Sequence, residues 1–169
     1  MTTTGTMRAL DDEHGAIRVE DVYDTDVDDL WEACTRPERL ARWMAQVQGE
    51  PQLGATVQAV FTSTWSGPLR IDVCDAPHHL LVTGHPGTDE ETQIEAWLTA
   101  EGSRTRLVVE ERGLPGGELH YYGAGWQAHL EDLGRSVAGA GPVHPEGWSS
   151  EAAASGWRER WTALVPAYR

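Results

Sequence analysis

The chain has 169 residues, enough for one domain with a tail that buries most of its apolar surface without a disulfide or metal staple. A formal charge of −14 excludes the clustered cationic surface that nucleic acid or an anionic membrane face requires. Cys34 and Cys74 form no CxxC pair, no basic, apolar leader opens the chain, and no run approaches the roughly 20 apolar residues of a membrane span, so a soluble cytoplasmic protein with reduced thiols is expected.

Residues 1–14 are polar, threonine-rich and then acidic, which predicts a disordered N-terminal segment. Ile17 and Val19 alternate with Arg18 and Glu20, predicting a first strand to about Tyr23. In DTDVDDLWEACT, Val27, Leu30, Trp31 and Cys34 recur at helical spacing, and aspartates crowd the first turn, where the helix dipole favours them. Thr25 and Asp28 resemble a capping box for this helix. A second short helix is predicted in RPERLARWM, with Pro37 in its first turn and Leu40, Trp43 and Met44 on its apolar side.

After QGEPQLG the period changes to two. Ala55, Val57, Ala59 and Phe61 share one face, then Leu69, Ile71 and Val73, then Thr92, Ile94, Ala96 and Leu98. HLLVTG and TRLVVEERG complete about five strands joined by short turns, an antiparallel meander. Leu119 to Val137 predicts a long helix, about 28 Å, whose stripe is Leu119, Tyr122, Trp126, Leu130, Leu133 and Val137. Gln127, Glu131, Asp132 and Arg135 fall on the opposite side. Gly123 and Gly125 each cost this helix roughly 1 kcal/mol relative to Ala. That cost has two readings, a strand or ligand close to the backbone, or a weakened helix end. GAGPVHPEG is a linker, and SSEAAASGWRERWTALV predicts a final helix with Trp157, Trp161 and Leu164 on one face, Trp148 pinning the linker. Eight tryptophans beside a single phenylalanine suit core packing, and equally a cavity wall or a partner surface.

The order of elements is strand, two short helices, about five strands and one long helix, an α+β arrangement in which the stripe buries itself against the sheet. This order resembles the SRPBCC superfamily (START-related, Bet v 1-like). Within it, the chain resembles the branch related to the activator of the heat-shock protein 90 ATPase. The resembling residues are Val27 to Trp31, RPERLARWM, the glycine of LGATV, SGPLRIDVCDAPHHLLVTG, SRTRLVVEERGLP and GWQAHLEDL. A departure is Glu111, which stands where relatives often carry a histidine before a glycine-leucine turn. The resemblance implies a helix-grip fold over residues 15–140, a curved antiparallel sheet wrapped around the long helix, with 141–169 as a linker and Trp-rich helix outside the shared core. It also implies an apolar cavity between sheet and helix. Members include lipid and hormone carriers and polyketide aromatase/cyclases, and many bacterial single-domain members resemble this chain, so fold supplies a class and not a reaction.

His78, His79 and His85 lack ligand spacing on a helix or strand, and no metal or cofactor is expected. There is no GxSxG and no phosphate loop. His129, beside the stripe near Tyr122 and Trp126, either projects into the cavity or sits half-exposed beside the core. Glu111 shares a face with Leu107 and Val109, so it either points at the long helix as a buried carboxyl or has left the sheet for water. The candidate ligand-binding set is Trp43, Phe61, Trp65, Arg70, Glu111, Tyr122, Trp126 and His129. The leading expectation is a binder of a small hydrophobic or aromatic molecule. Two others compete: a cyclase- or dehydratase-like enzyme using His129, Tyr122 or Glu111 as acid or base, and an interaction module that contacts a chaperone or a second copy of itself.

Overall fold

Eight antiparallel strands form a single curved sheet in the order β1-β2-β8-β7-β6-β5-β4-β3. The structure, a computed structural model, describes residues 2–139 and 141–168. The strands are β1 (Thr4–Ala9), β2 (His14–Tyr23), β3 (Ala45–Gln48), β4 (Thr56–Phe61), β5 (Ser66–Asp75), β6 (His79–Gly84), β7 (Thr92–Glu101) and β8 (Arg104–Pro115). Helices α1 (Val27–Thr35) and α2 (Pro37–Leu40) link β2 to β3. The long helix α3 (Leu119–Ala138) follows β8, and α4 (Ser155–Leu164) lies near the C-terminus. This is the α+β helix-grip arrangement: α3 rests on the inner face of the sheet, where Ile17, Val19, Val57, Leu107 and Val109 are buried with Trp126, Leu130 and Leu133. The Tyr23 hydroxyl donates to the Leu130 carbonyl at 2.8 Å and ties β2 to the middle of the helix.

Two edge strands correct the sequence expectations. Residues 4–9, expected to be disordered, pair with β2 from Thr4↔Glu20 to Ala9↔Gly15. Most side chains of β1 stay in solvent, so its polar composition carries no signal; backbone hydrogen bonds build this edge. Arg8 then clamps it, donating to both Glu110 oxygens at 2.9 and 2.8 Å. Strand β3, at the other edge, does alternate, with Ala45 buried and Val47 packed on the core, but its run of four residues is too short to stand out. The cap of α1 also moves: Asp26, rather than Thr25, accepts from the Asp29 amide at 2.8 Å, while Thr25 donates to the Asp29 carboxylate. The second helix is shorter than RPERLARWM, ending at Leu40 before a turn that buries Trp43.

The far side of α3 is covered too. The C-terminal segment packs on Ala124 and Ala128 through Trp157, Leu164, Val165 and Tyr168. Helix α4 begins at Ser155 rather than Ser149, because Ser149–Ala154 is held as a loop by Ser149 N–H to Ala152 O and Ala154 N–H to Thr62 O, both 2.9 Å. Trp148 does pin the linker, donating to the Val60 carbonyl at 3.0 Å. Asp132, expected on the solvent side, is 2 % exposed. His144 Nε2 lies 2.7 Å from its Oδ2, and Arg135 holds Oδ1 at 2.7 Å, so a buried carboxylate–histidine pair latches the linker to α3. The α3 glycines serve this side: a Cβ on Gly123 would meet Tyr168 at 2.6 Å, and one on Gly125 would touch Trp157 at 3.4 Å. The element close to the backbone is the tail, not a sheet strand.

Candidate functional site

Between α3 and the sheet lie two adjoining chambers. The inner one, about 120 Å³, is almost wholly apolar, walled by residues such as Trp43, Met44, Leu80, Val109 and Leu130. The inward side chains of β4 to β8 build it through period-two alternation, except in β5, where a register shift between Ile71 and Val73 turns Cys74 inward in place of the expected Val73. Cys34 belongs to its wall, and burial pushes that thiol up to about 12, which keeps it protonated at neutral pH and unsuited to nucleophilic work. Phe61, Ile94 and Trp126 are shared with the outer chamber, about 280 Å³.

The outer chamber has a different make-up. Its walls include Trp65, Tyr121, Tyr122, Trp126, Trp157 and Trp161, with the polar groups of Glu111, His129, Ser63 and Thr64. Glu111 is 6 % exposed at the inner face of β8. Its Oε1 accepts from Trp126 Nε1 and its Oε2 from Thr92 Oγ1, each at 2.8 Å. Burial raises this carboxyl above the ordinary range, and the two donors pull it back. The reading in which Glu111 reaches water at the strand end is thereby overturned.

His129 is 3 % exposed, so the half-exposed reading fails as well. Its ring meets Phe61 edge-on at 5.8 Å and Trp126 at 5.4 Å, and Nδ1 lies 3.4 Å from Thr62 Oγ1. Burial, assisted by the charge of His144, pushes the imidazole down to about 3, so it is neutral at physiological pH. Tyr122 is partly buried, and its phenol is raised first by burial, then by the charges of Glu111, Glu118 and Glu90. Thr64, in the turn at the rim, holds a left-handed φ of 78°, a conformation that costs a β-branched residue energy.

The chambers gather seven of the eight candidates. Trp43 lines the inner one, Trp65, Glu111, Tyr122 and His129 the outer one, and Phe61 and Trp126 both. Arg70 is the exception and must be withdrawn: it is exposed on the outer face of β5, where it donates to Asp72 at 2.7 Å. Sequence reading missed Trp157 and Trp161, which the tail brings to the outer chamber, stacked at 5.9 Å. Their spacing announced an apolar face but not what it would cover. Trp161 Nε1 donates to the Tyr121 carbonyl at 2.9 Å, while Trp157 Nε1 is buried with no partner among the described residues.

The histidines of the meander take other roles. His79 pairs with Glu95 at 2.5 Å, and His85 packs on Trp65. Among the described residues, no three His, Cys, Asp or Glu side chains form a metal-binding group. Nor does any described helix have the length and apolarity to cross a membrane.

A family model described as activator of Hsp90 ATPase homolog 1-like protein matches residues 24–138, more than half of the chain. The chain belongs to this family. It lies within the SRPBCC superfamily, and the match runs from the start of α1 to the end of α3. Among solved structures, CalU16 from Micromonospora echinospora is similar over 98 % of this chain and 99 % of its own, at 26 % identity and a TM-score of 0.69. That span includes the tail that the family model leaves out. DynU16, a protein of the dynemicin biosynthetic locus, is 28 % identical over 75 % of this chain, with a TM-score of 0.68. The match covers 48 % of DynU16, so this chain corresponds to about half of it. A conserved protein from Enterococcus faecalis, 17 % identical with a TM-score of 0.65, shares the fold over 98 % of the chain. Among curated proteins, none matches the chain.

Proposed function

We propose that the protein binds a small hydrophobic or aromatic molecule between the sheet and α3. The apolar body would enter the inner chamber, and a polar group would remain in the outer one. The observation that carries this reading is the pairing of an apolar chamber with an adjoining one that holds Glu111, Tyr122 and His129. Ligand sites have this composition, apolar walls with a few placed polar groups.

The test is a titration of the intact protein with aromatic and fatty ligands, read by tryptophan fluorescence. Trp65, Trp126, Trp157 and Trp161 border the outer chamber and supply the signal. Micromolar affinity, about 8 kcal/mol, is expected for at least one ligand class. Mass spectrometry of the small molecules released on denaturation provides an independent check. No binding by any class and no co-purifying molecule would sink the reading.

One observation favours a second reading, a cyclase- or dehydratase-like enzyme in the same cavity: Glu111 and Tyr122, both shifted upward by burial, border one chamber. The place of DynU16 in the dynemicin biosynthetic locus is compatible with it. Recovery of a bound molecule unchanged after prolonged incubation supports carriage. Conversion that is lost in Glu111→Gln and Tyr122→Phe supports catalysis.

A further inference from the structure

The outer chamber has an unusual charge balance. Its rim and walls present Trp65, Tyr121, Tyr122, Trp126, Trp157 and Trp161, and its buried carboxyl is Glu111. Among the described residues, no arginine lines it, and the sequence contains no lysine. The donors on Glu111 are an indole N–H and a hydroxyl, both neutral, and each carboxylate oxygen keeps a further lone pair. The other charges acting on Tyr122 are those of Glu118 and Glu90, again acidic. His129 is held neutral, so it adds no repulsion to a positive ligand.

A buried carboxylate without a counter-charge is costly, and the cost is relieved by protonation or by a cation. Aromatic faces attract a cation through their quadrupoles, most strongly where water is excluded. We propose that the outer chamber selects an organic cation, a protonated or quaternary amine carried on an apolar or aromatic body, with Glu111 as counter-charge and the surrounding rings as the cage. The inference rests on the ligand-binding reading above and names the chemical class of its polar group. The body of such a ligand occupies the inner chamber, where neither charge nor hydrogen bond is offered. The net charge of −14 raises the local concentration of cations outside the protein and so assists capture.

The experiment compares three probes of similar shape on the intact chain near pH 7.5: benzyltrimethylammonium, its neutral carbon isostere neopentylbenzene, and the anion phenylacetate. Calorimetry and tryptophan fluorescence report binding. The expected order is cation, then neutral isostere at about tenfold weaker affinity, then anion with none detected. Glu111→Gln should abolish the preference for the cation over the isostere. Gln is nearly the same size, but its amide can clash with one of the two donors at that site. Trp161→Leu, at the partly exposed rim, is therefore the second variant, expected to narrow the cation–isostere gap in a protein whose melting confirms folding. Equal affinity for cation and isostere, or a preference for the anion, overturns this inference and leaves the hydrophobic-ligand reading standing. If none of the three probes binds while the fatty and aromatic panel does, this inference falls alone, and if the panel also fails, both fall.

Discussion

The two faces of α3 are both buried, and they are built in opposite ways. The face toward the sheet carries large side chains, Trp126, Leu130 and Leu133, and rests on strand residues of comparable size such as Ile17, Phe61 and Leu107. The face toward the tail carries Gly123, Ala124 and Ala128, and receives the large side chains of Trp157, Leu164 and Tyr168. On the tail side one partner supplies volume and the other room, while on the sheet side large side chains from both partners interdigitate, and either scheme meets the density of a protein interior. The side-chain periodicity that reveals the first face is silent about the second, because glycine and alanine register weakly on a hydrophobicity scale. A helix can therefore be apolar on two sides while its sequence advertises one. The chambers fall where neither packing scheme closes: the inner one on the sheet side, the outer one where the tail's tryptophans reach around toward the sheet.

Removing the tail breaks this comparison most directly. Truncation after Gly141 deletes Trp157, Trp161 and Tyr168, exposes the glycine–alanine face and opens the outer chamber. The loss should exceed about 5 kcal/mol, the top of the range for one core truncation, and appear as a collapsed melting temperature with aggregation in light scattering. A truncated protein that stays soluble, with unchanged mass and melting, would show the second face to be dispensable. Next comes the first face alone. Leu130→Ala, at a fully buried position, should cost about 2–5 kcal/mol in chemical denaturation. Arg135→Ala is expected to cost far less, since Arg135 is exposed, although it removes one partner of Asp132.

Much of the sheet-side half of this arrangement was legible in the sequence. Period-two alternation located the five central strands, and the parity of Glu111 with Leu107 and Val109 turned its carboxyl inward. The same parity, applied to Arg70 between Leu69 and Ile71, places it outside; its inclusion among cavity residues ignored that alternation. The edge strand β1 was illegible because its backbone carries the pairing and most of its side chains face water, and β3 because its alternation lasts only four residues. The tail's tryptophans were visible as an apolar face, but no local pattern states which distant surface such a face will cover. The Asp132–His144 latch joins groups twelve residues apart across a linker, and spacing alone cannot register that contact.

A smaller effect probes the site where the two faces meet, at His129, between Phe61 and Trp126 on one side and Trp157 on the other. Its folded-state pKa of about 3 lies below the ordinary value near 6.5, chiefly because of burial. Below pH 6.5 the unfolded chain therefore binds a proton that the folded chain refuses, and stability falls with pH from about 6.5 toward 3. The expected slope from this residue is about 1 kcal/mol per pH unit over that window. Glu111, whose folded pKa is raised, acts in the opposite direction, and Glu110, held at about 2 by Arg8, contributes only below its unfolded range. The difference between wild type and His129→Gln isolates the histidine. Urea unfolding from pH 7.5 to 5 should show stability falling more steeply in the wild type. Parallel pH profiles would mean that His129 is solvated or can take up a proton in place.

The finest discrimination is a pair of glycine-to-alanine changes about three turns apart in the same helix, one beside Tyr23 of the sheet and one beside Tyr168 of the tail. Alanine is favoured over glycine in a helix interior by roughly 1 kcal/mol, so propensity alone predicts that both variants gain. At Gly134 a Cβ would stand 3.7 Å from the Tyr23 ring, an ordinary van der Waals contact, and Gly134→Ala should stabilise by about 0.5–1 kcal/mol. At Gly123 the added Cβ would stand 2.6 Å from Tyr168 Cδ1. That ring is also packed near Gly5 of β1, and its hydroxyl donates to Gln127 at 2.7 Å, so it cannot withdraw without disturbing both. Displacing it should outweigh the propensity gain, and Gly123→Ala should lower the melting temperature. Opposite signs for the two changes would show that the tail fills the space beside the helix more tightly than the sheet does. If both variants gain equally, the tail is loosely held and Tyr168 moves aside at little cost. If both lose, propensity is being overruled on the sheet side as well, and the space beside Tyr23 is tighter than its 3.7 Å contact implies.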